Sequence, residues 1–270
     1  GATNALVADI SHTNKGANLS LLGVFFGIGA LGMPFVLGLL QHHFRYTGIC
    51  AVTGIACFLL GVFYAVLSFP EPKLQQKPAG QKDRFLLRES FLWLIAFFLF
   101  FQSSFEAIIN NWTTSYLSSR LRLEKETTLF ALSLFVTGMA VMRLLLGSIF
   151  RTAKKVRLFP FLFGLIGSGI LFFTLGNNFL SAAAGLVLMG AGLAGGFPFM
   201  LGYLGNRYPS VSGTAFSIAL TVALTGNILI NYGTGIIVQY YGVSYVAAIA
   251  GIELIFMILL YFFIIKQFKS

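Results

Sequence analysis

Gln102, Glu106 and Asn110 recur at every fourth position of the stretch SFLWLIAFFLFFQSSFEAIINNWTTSY, residues 90–116. On a helix that spacing stacks them on one face, and Thr113 and Thr114 continue it beside Trp112 and Tyr116. The stretch opens as a run of Trp, Leu, Ile and Phe, so the polar groups come at depth. A carboxylate inside an apolar helix costs about 2.5–3.5 kcal/mol on insertion scales and is retained where it faces a bundle interior or a water-filled cavity. Glu106 could there take up and release a proton as the cavity opens to each side, or accept hydrogen bonds from solute hydroxyls. The competing reading is a fixed ion pair with Arg143 that locks two helices together.

Arg143 lies in FVTGMAVMRLLLG, and its long side chain either snorkels to the headgroups or serves Glu106 as partner in coupling or gating. Asn227 and Asn231 share a helical face one turn apart, with Thr234 close to it. Together with Gln102 and Asn110 these amides make a lining of neutral hydrogen-bonding groups, suited to a polyhydroxylated solute. Trp112 could stack on a sugar ring or belong to the aromatic belt of a membrane interface. The candidate solute contacts are therefore Gln102, Glu106, Asn110, Trp112, Asn227 and Asn231, and the candidate proton-coupling or gating pair is Glu106 with Arg143. Gly190, Gly192, Gly195, Gly196 and Pro198 crowd into nine residues, as close helix packing or a broken helix requires. No GxxxxGK[ST] follows them, and the sequence holds neither a Cys/His cluster nor a nucleophile–base pair, so no cofactor, metal site or enzymatic activity is expected. Glu253 falls in mid-span without polar companions on its own face and reads as structural.

The elements that must position these residues are membrane helices. The chain is 57% hydrophobic and only 10% charged, with a mean hydropathy of +0.85, against about 25% charged residues in ordinary soluble domains. An all-α polytopic membrane protein follows. The net charge of +10 sits in short loops rather than in a basic arm, which argues for membrane orientation and against nucleic-acid binding. Cys50 and Cys57 are seven apart on one helix, about 10.5 Å along its axis, too far for a disulfide within the chain.

Eight spans are expected: 18–40, 47–68, 90–116, 127–150, 158–176, 180–204, 213–239 and 243–265. Residues 1–14 read as the end of a helix that begins upstream, and the opening GATNAL carries no signal-peptide pattern. The polar segment after residue 69 (Lys73, Pro78, Gly80, Lys82, Arg84) is the expected inter-domain linker. His12, His42 and His43 fall in loops and are expected to be solvated. When successive loops are placed on opposite sides, thirteen of the eighteen Lys and Arg gather with the linker and the C-terminus and four fall opposite. The positive-inside rule then makes linker and C-terminus cytoplasmic. A shift of 197 positions superimposes Gly16 on Gly213, Gly29 on Gly226, Gly38 on Gly235, Gly54 on Gly251 and Tyr64 on Tyr261, the pattern of a parallel internal repeat.

Four segments resemble the major facilitator superfamily, and within it the fucose permease-like sugar:proton symporters: NLSLLGVFFGIGALGMPF at 18–35, E-x3-NNW-x3-YL at 106–117, GMAVMRLLLG at 138–147 and GFPFMLGYLGNRYPSVSGTAFS at 196–217. The resemblance implies eight of twelve transmembrane helices. Residues 1–69 would be the tail of helix four (with Asn4 in its polar motif) and helices five and six, 70–89 the cytoplasmic linker, and 90–270 the C-terminal six-helix bundle. It further implies alternating access and proton-coupled import of a sugar or similar small polar solute, by a monomer in a bacterial inner membrane. The alternatives are metabolite or drug efflux by the same fold, or a non-transporting scaffold or sensor.

Overall fold

The computed structural model describes residues 2–11, 15–40, 46–68, 85–152 and 155–269. Within them the chain is helical: α1 Ala2–Ile10, α2 Lys15–Leu40, α3 Tyr46–Val66, α4 Ser90–Leu121, α5 Lys125–Gly147, α6 Lys155–Leu175, α7 Phe179–Leu193, α8 Gly196–Arg207, α9 Ser212–Tyr241 and α10 Val246–Lys269. Single 3-10 turns lie at Ile149–Thr152 and Val243–Tyr245. Among the described residues seven stretches are long and apolar enough to cross a membrane, α7 and α8 together forming one of them. The first expected span falls within α2, a helix of 26 residues. Most of the expected linker, and His12, His42 and His43, lie outside the described residues.

Two features depart from the apolar runs. α4 continues to Leu121, beyond the expected end at Tyr116, and stops where Arg122 turns left-handed at φ 52°. The expected span 180–204 is two helices, α7 and α8, separated at Ala194 and Gly195. Pro198 near the start of α8 has no amide hydrogen to return to the carbonyl of Ala194, so the break sits where the backbone has least to lose.

α4 is the spine. It packs against α9 on one flank and α10 on the other, while α7 packs between α5 and α6. Water-driven burial does little between helices in lipid, so close backbone approach and interhelical hydrogen bonds must hold them. Small residues stand where that is needed: a side chain at Gly226 of α9 would strike Phe100 of α4, and one at Gly190 of α7 would strike the backbone of Phe135 in α5. Gly169 of α6 and Gly185 of α7 meet face to face. Ser104 of α4 donates to the carboxylate of Glu253 on α10, so the companion missing from the face of Glu253 comes from the neighbouring helix.

α2 lies against α5 and α8. Gly16 abuts Phe199, Gly147 receives Ala17 and Leu21, and Gly27 faces Ala140. Lys15 Nζ donates to the carbonyl of Gly205 (3.0 Å) and Ser20 Oγ to that of Arg143 (3.0 Å). These contacts run along the Lys15–Gly27 half of α2, and a side chain at Gly29 would meet nothing. α3 makes few contacts with the other described helices, and Ile55, Phe58, Leu59 and Phe63 on it are all exposed.

Candidate functional site

A cavity of about 630 Å³ opens between α2, α4, α5, α8 and α9. Its polar wall comes mainly from α4, where Ser103, Glu106, Asn110 and Asn111 face it in two successive turns. Asn227 of α9 and Asn4 of α1 add amides from two other directions. Leu19, Leu22, Phe197, Leu201 and Leu220 supply apolar surface. Arg143 of α5 closes one side and also borders a smaller side chamber of about 160 Å³, which it shares with Glu106 and Asn110.

The two charged residues meet here without pairing. Among the described residues the Glu106 side chain has no hydrogen-bond partner, and its carboxylate faces the cavity. Arg143 is buried, and its guanidinium donates from one terminal nitrogen to the carbonyl of Gly23 on α2 at 3.2 Å, while Nε has no partner. The charges attract through space across a gap no direct bond closes. Arg143 is buried and Glu106 half-buried, and among the described residues no hydrogen bond joins their side chains. Gly23 has room for the guanidinium only because it lacks a side chain, since a Cβ there would press on Arg143.

The asparagines are ordered by one another. Asn110 Nδ2 donates to the carbonyl of Glu106 (2.8 Å) and Asn231 Nδ2 to that of Asn227 (2.9 Å), each one turn back on its own helix. Asn111 Nδ2 then donates to Asn231 Oδ1 at 3.1 Å, tying α4 to α9 beside the cavity mouth. With its amide nitrogen engaged, Asn110 keeps its amide oxygen for a solute hydroxyl, whereas Asn227 Oδ1 takes a long contact from Asn231 Nδ2 (3.5 Å) and, among the described residues, only its Nδ2 is left over.

Of the residues singled out from the sequence, Glu106, Asn110, Asn227 and Arg143 come together in the cavity. Asn231 stands one layer behind it. Gln102 and Trp112 do not line it. Gln102 is 1% exposed and donates from Nε2 to the carbonyl of Leu193 (2.9 Å), the last residue of α7. It therefore clamps the α7–α8 break from outside this cavity. Trp112 is half-buried and lies against α9 near Gly235. Ser103 was not foreseen, and Asn4 and Asn111, though noted in the sequence, were not among the candidate solute contacts: Ser103 and Asn111 flank Gln102 and Asn110 by one position, and only the helix rotation decides which of the neighbours faces inward.

The family model of the Major Facilitator Superfamily matches residues 1–182. The chain belongs to that family of membrane transporters. Two solved structures share the fold: the E. coli fucose:proton symporter FucP as an alanine variant (12% identity, TM-score 0.75) and FucP in the outward conformation (11% identity, TM-score 0.75). Each comparison covers 97% of this chain and 72% of the other. No protein of curated function matches the sequence significantly.

Proposed function

We propose that the chain is the greater part of a secondary transporter that imports a sugar or similar small polar solute together with protons by alternating access. The observation that carries this reading is the cavity itself: about 630 Å³, inside the range of small-molecule sites, walled by amides from three helices and by one carboxylate that has no hydrogen bond among the described residues. The amides suit hydroxyl groups, which both donate and accept. Glu106 takes up the proton. Once neutral, it no longer attracts Arg143, and the guanidinium is held by the Gly23 carbonyl alone.

With the basic loops assigned to the cytoplasm, the packed end of the bundle (Lys15 on Gly205, Leu21 on Gly147) is the cytoplasmic end. The cavity then faces outward, and residues 1–69 and 90–270 belong to two halves that rock about it. Residues 70–89 join them as a cytoplasmic linker, and the C-terminus lies on the same side of a bacterial inner membrane. The test is uptake of a panel of labelled sugars by cells expressing the intact protein, with and without a protonophore, for wild type and Glu106→Gln. Protonophore-sensitive accumulation of one sugar, lost in the variant at normal membrane expression, is the expected result. Accumulation unaffected by the protonophore or by the substitution refutes the coupling role, and expulsion of preloaded solute replaces import by efflux.

A further inference from the structure

A second depression lies far from the solute cavity, where α4 begins and α10 ends. Its volume is about 670 Å³. Arg88 and Lys266 stand at its rim, both exposed and, among the described residues, without an ion-pair partner. Below them the walls become apolar: Trp93 and Phe97 come from α4 and Phe263 from α10, with Phe97 and Phe263 each about half exposed. Phe97 sits about 10 Å deeper than Ser90 along the helix axis. The Trp93 ring is fixed in place, because its Nε1 donates to the carbonyl of Leu87 at 2.8 Å.

We propose that this groove binds one anionic glycerophospholipid, with the phosphate between Arg88 and Lys266 and an acyl chain along Trp93, Phe97 and Phe263. Three observations select that occupant. The basic groups are at the end of both helices, at headgroup level, and the aromatic surface continues inward at acyl-chain level, so one amphipathic molecule satisfies both. Basic pockets between membrane helices recognise anionic headgroups in this way. Among the described residues the nearby carboxylate is turned elsewhere: Glu89 accepts a hydrogen bond from Tyr208 Oη at 3.0 Å, and its side chain caps nothing at the start of α4. The positive end of the α4 helix, which begins at Ser90 on the groove wall, favours a phosphate there.

Trp93 makes the site directly readable. The full-length protein, with every other tryptophan changed to phenylalanine, is placed in nanodiscs of phosphatidylcholine that contain either brominated phosphatidylglycerol or brominated phosphatidylcholine at equal mole fraction. Bromine quenches indole only at contact distance. The anionic lipid is expected to quench Trp93 with an apparent affinity at least about fivefold above the zwitterionic one, the preference expected from a single basic group at an anionic surface. Arg88→Gln with Lys266→Gln is expected to abolish the preference, and Arg88→Lys with Lys266→Arg to preserve it. Equal quenching by the two lipids overturns the proposal, as does a preference that survives the double glutamine variant.

Discussion

The clamp at the α7–α8 break can be tested by substituting Gly196 with alanine. A Cβ at Gly196 would land on the carboxamide of Gln102. That group cannot withdraw cheaply, because its Nε2 holds the Leu193 carbonyl at 2.9 Å and Gln102 is 1% exposed. Overpacking of this kind costs about 1–3 kcal/mol, so Gly196→Ala should destabilise by that amount. Gln102→Ala loses the bond to Leu193, worth about 0.6–1.7 kcal/mol between membrane helices, and leaves a small void. In the double variant the added methyl enters the space the glutamine has left. The two costs should then fail to add, by about 1 kcal/mol or more, as expected for groups in contact. Thermal unfolding in detergent, followed by size-exclusion of the soluble fraction, reads this as a double variant about 2–4 °C more stable than additivity predicts. The break positions Phe197 and Leu201 in the cavity wall, so Gly196→Ala should also raise the KM for the transported solute. Strict additivity, or a Gly196→Ala protein as stable as wild type, would refute the clamp.

Two further predictions rest on other contacts. A Cβ built at Gly27 lies 3.3 Å from that of Ala140, close to the separation of about 3.5–4.5 Å found in disulfides. Gly27→Cys with Ala140→Cys, in a background without Cys50 and Cys57, should therefore cross-link under mild oxidation and stop transport until reductant is added. Transport that continues in the cross-linked protein would show that α2 and α5 need not separate. Outside the membrane, burial first and the Glu89 carboxylate second push the Tyr208 phenol up to about 12. A raised value means that the neutral phenol is favoured on folding, so its stabilisation is complete below the ordinary tyrosine value of about 10 and is lost as pH rises toward 12. Stability measured across that alkaline window should fall more steeply for wild type than for Tyr208→Phe, and parallel curves would contradict the assignment.

The membrane helices were legible because lipid demands long apolar runs with every backbone group bonded internally, and the positions of 90–116 and 213–239 follow from that alone. The break before Pro198 was only partly legible: the glycines and proline allowed either close packing or a broken helix, and the apolar run read as a single span. The lining of α4 was only half legible. Four residues turn a helix by about 400°, so Gln102 and Asn110 are displaced by about 80°, and that drift carries Gln102 out of the cavity and into the helix break. Ser103 and Asn111 take its place on the inward face. The pairing of α2 with α5 could not be read, because Gly23, Gly27 and Gly147 acquire their meaning only from partners more than a hundred residues away. Arg143 shows the same limit: its type and depth marked it for a role, but its bond to the Gly23 carbonyl is a tertiary fact.

The account stands on the claim that the cavity beside Glu106 is where the solute sits, and one measurement addresses it directly. Ser103 lines that cavity one turn before Ala107, and Ser103→Cys exchanges one oxygen for sulfur. In a transport-active protein with Cys50 and Cys57 replaced by serine, a small charged thiosulfonate added from outside the cell should modify that cysteine, and saturating transported solute should slow the reaction. Modification at the same rate with and without solute would place the binding site elsewhere and contradict the account.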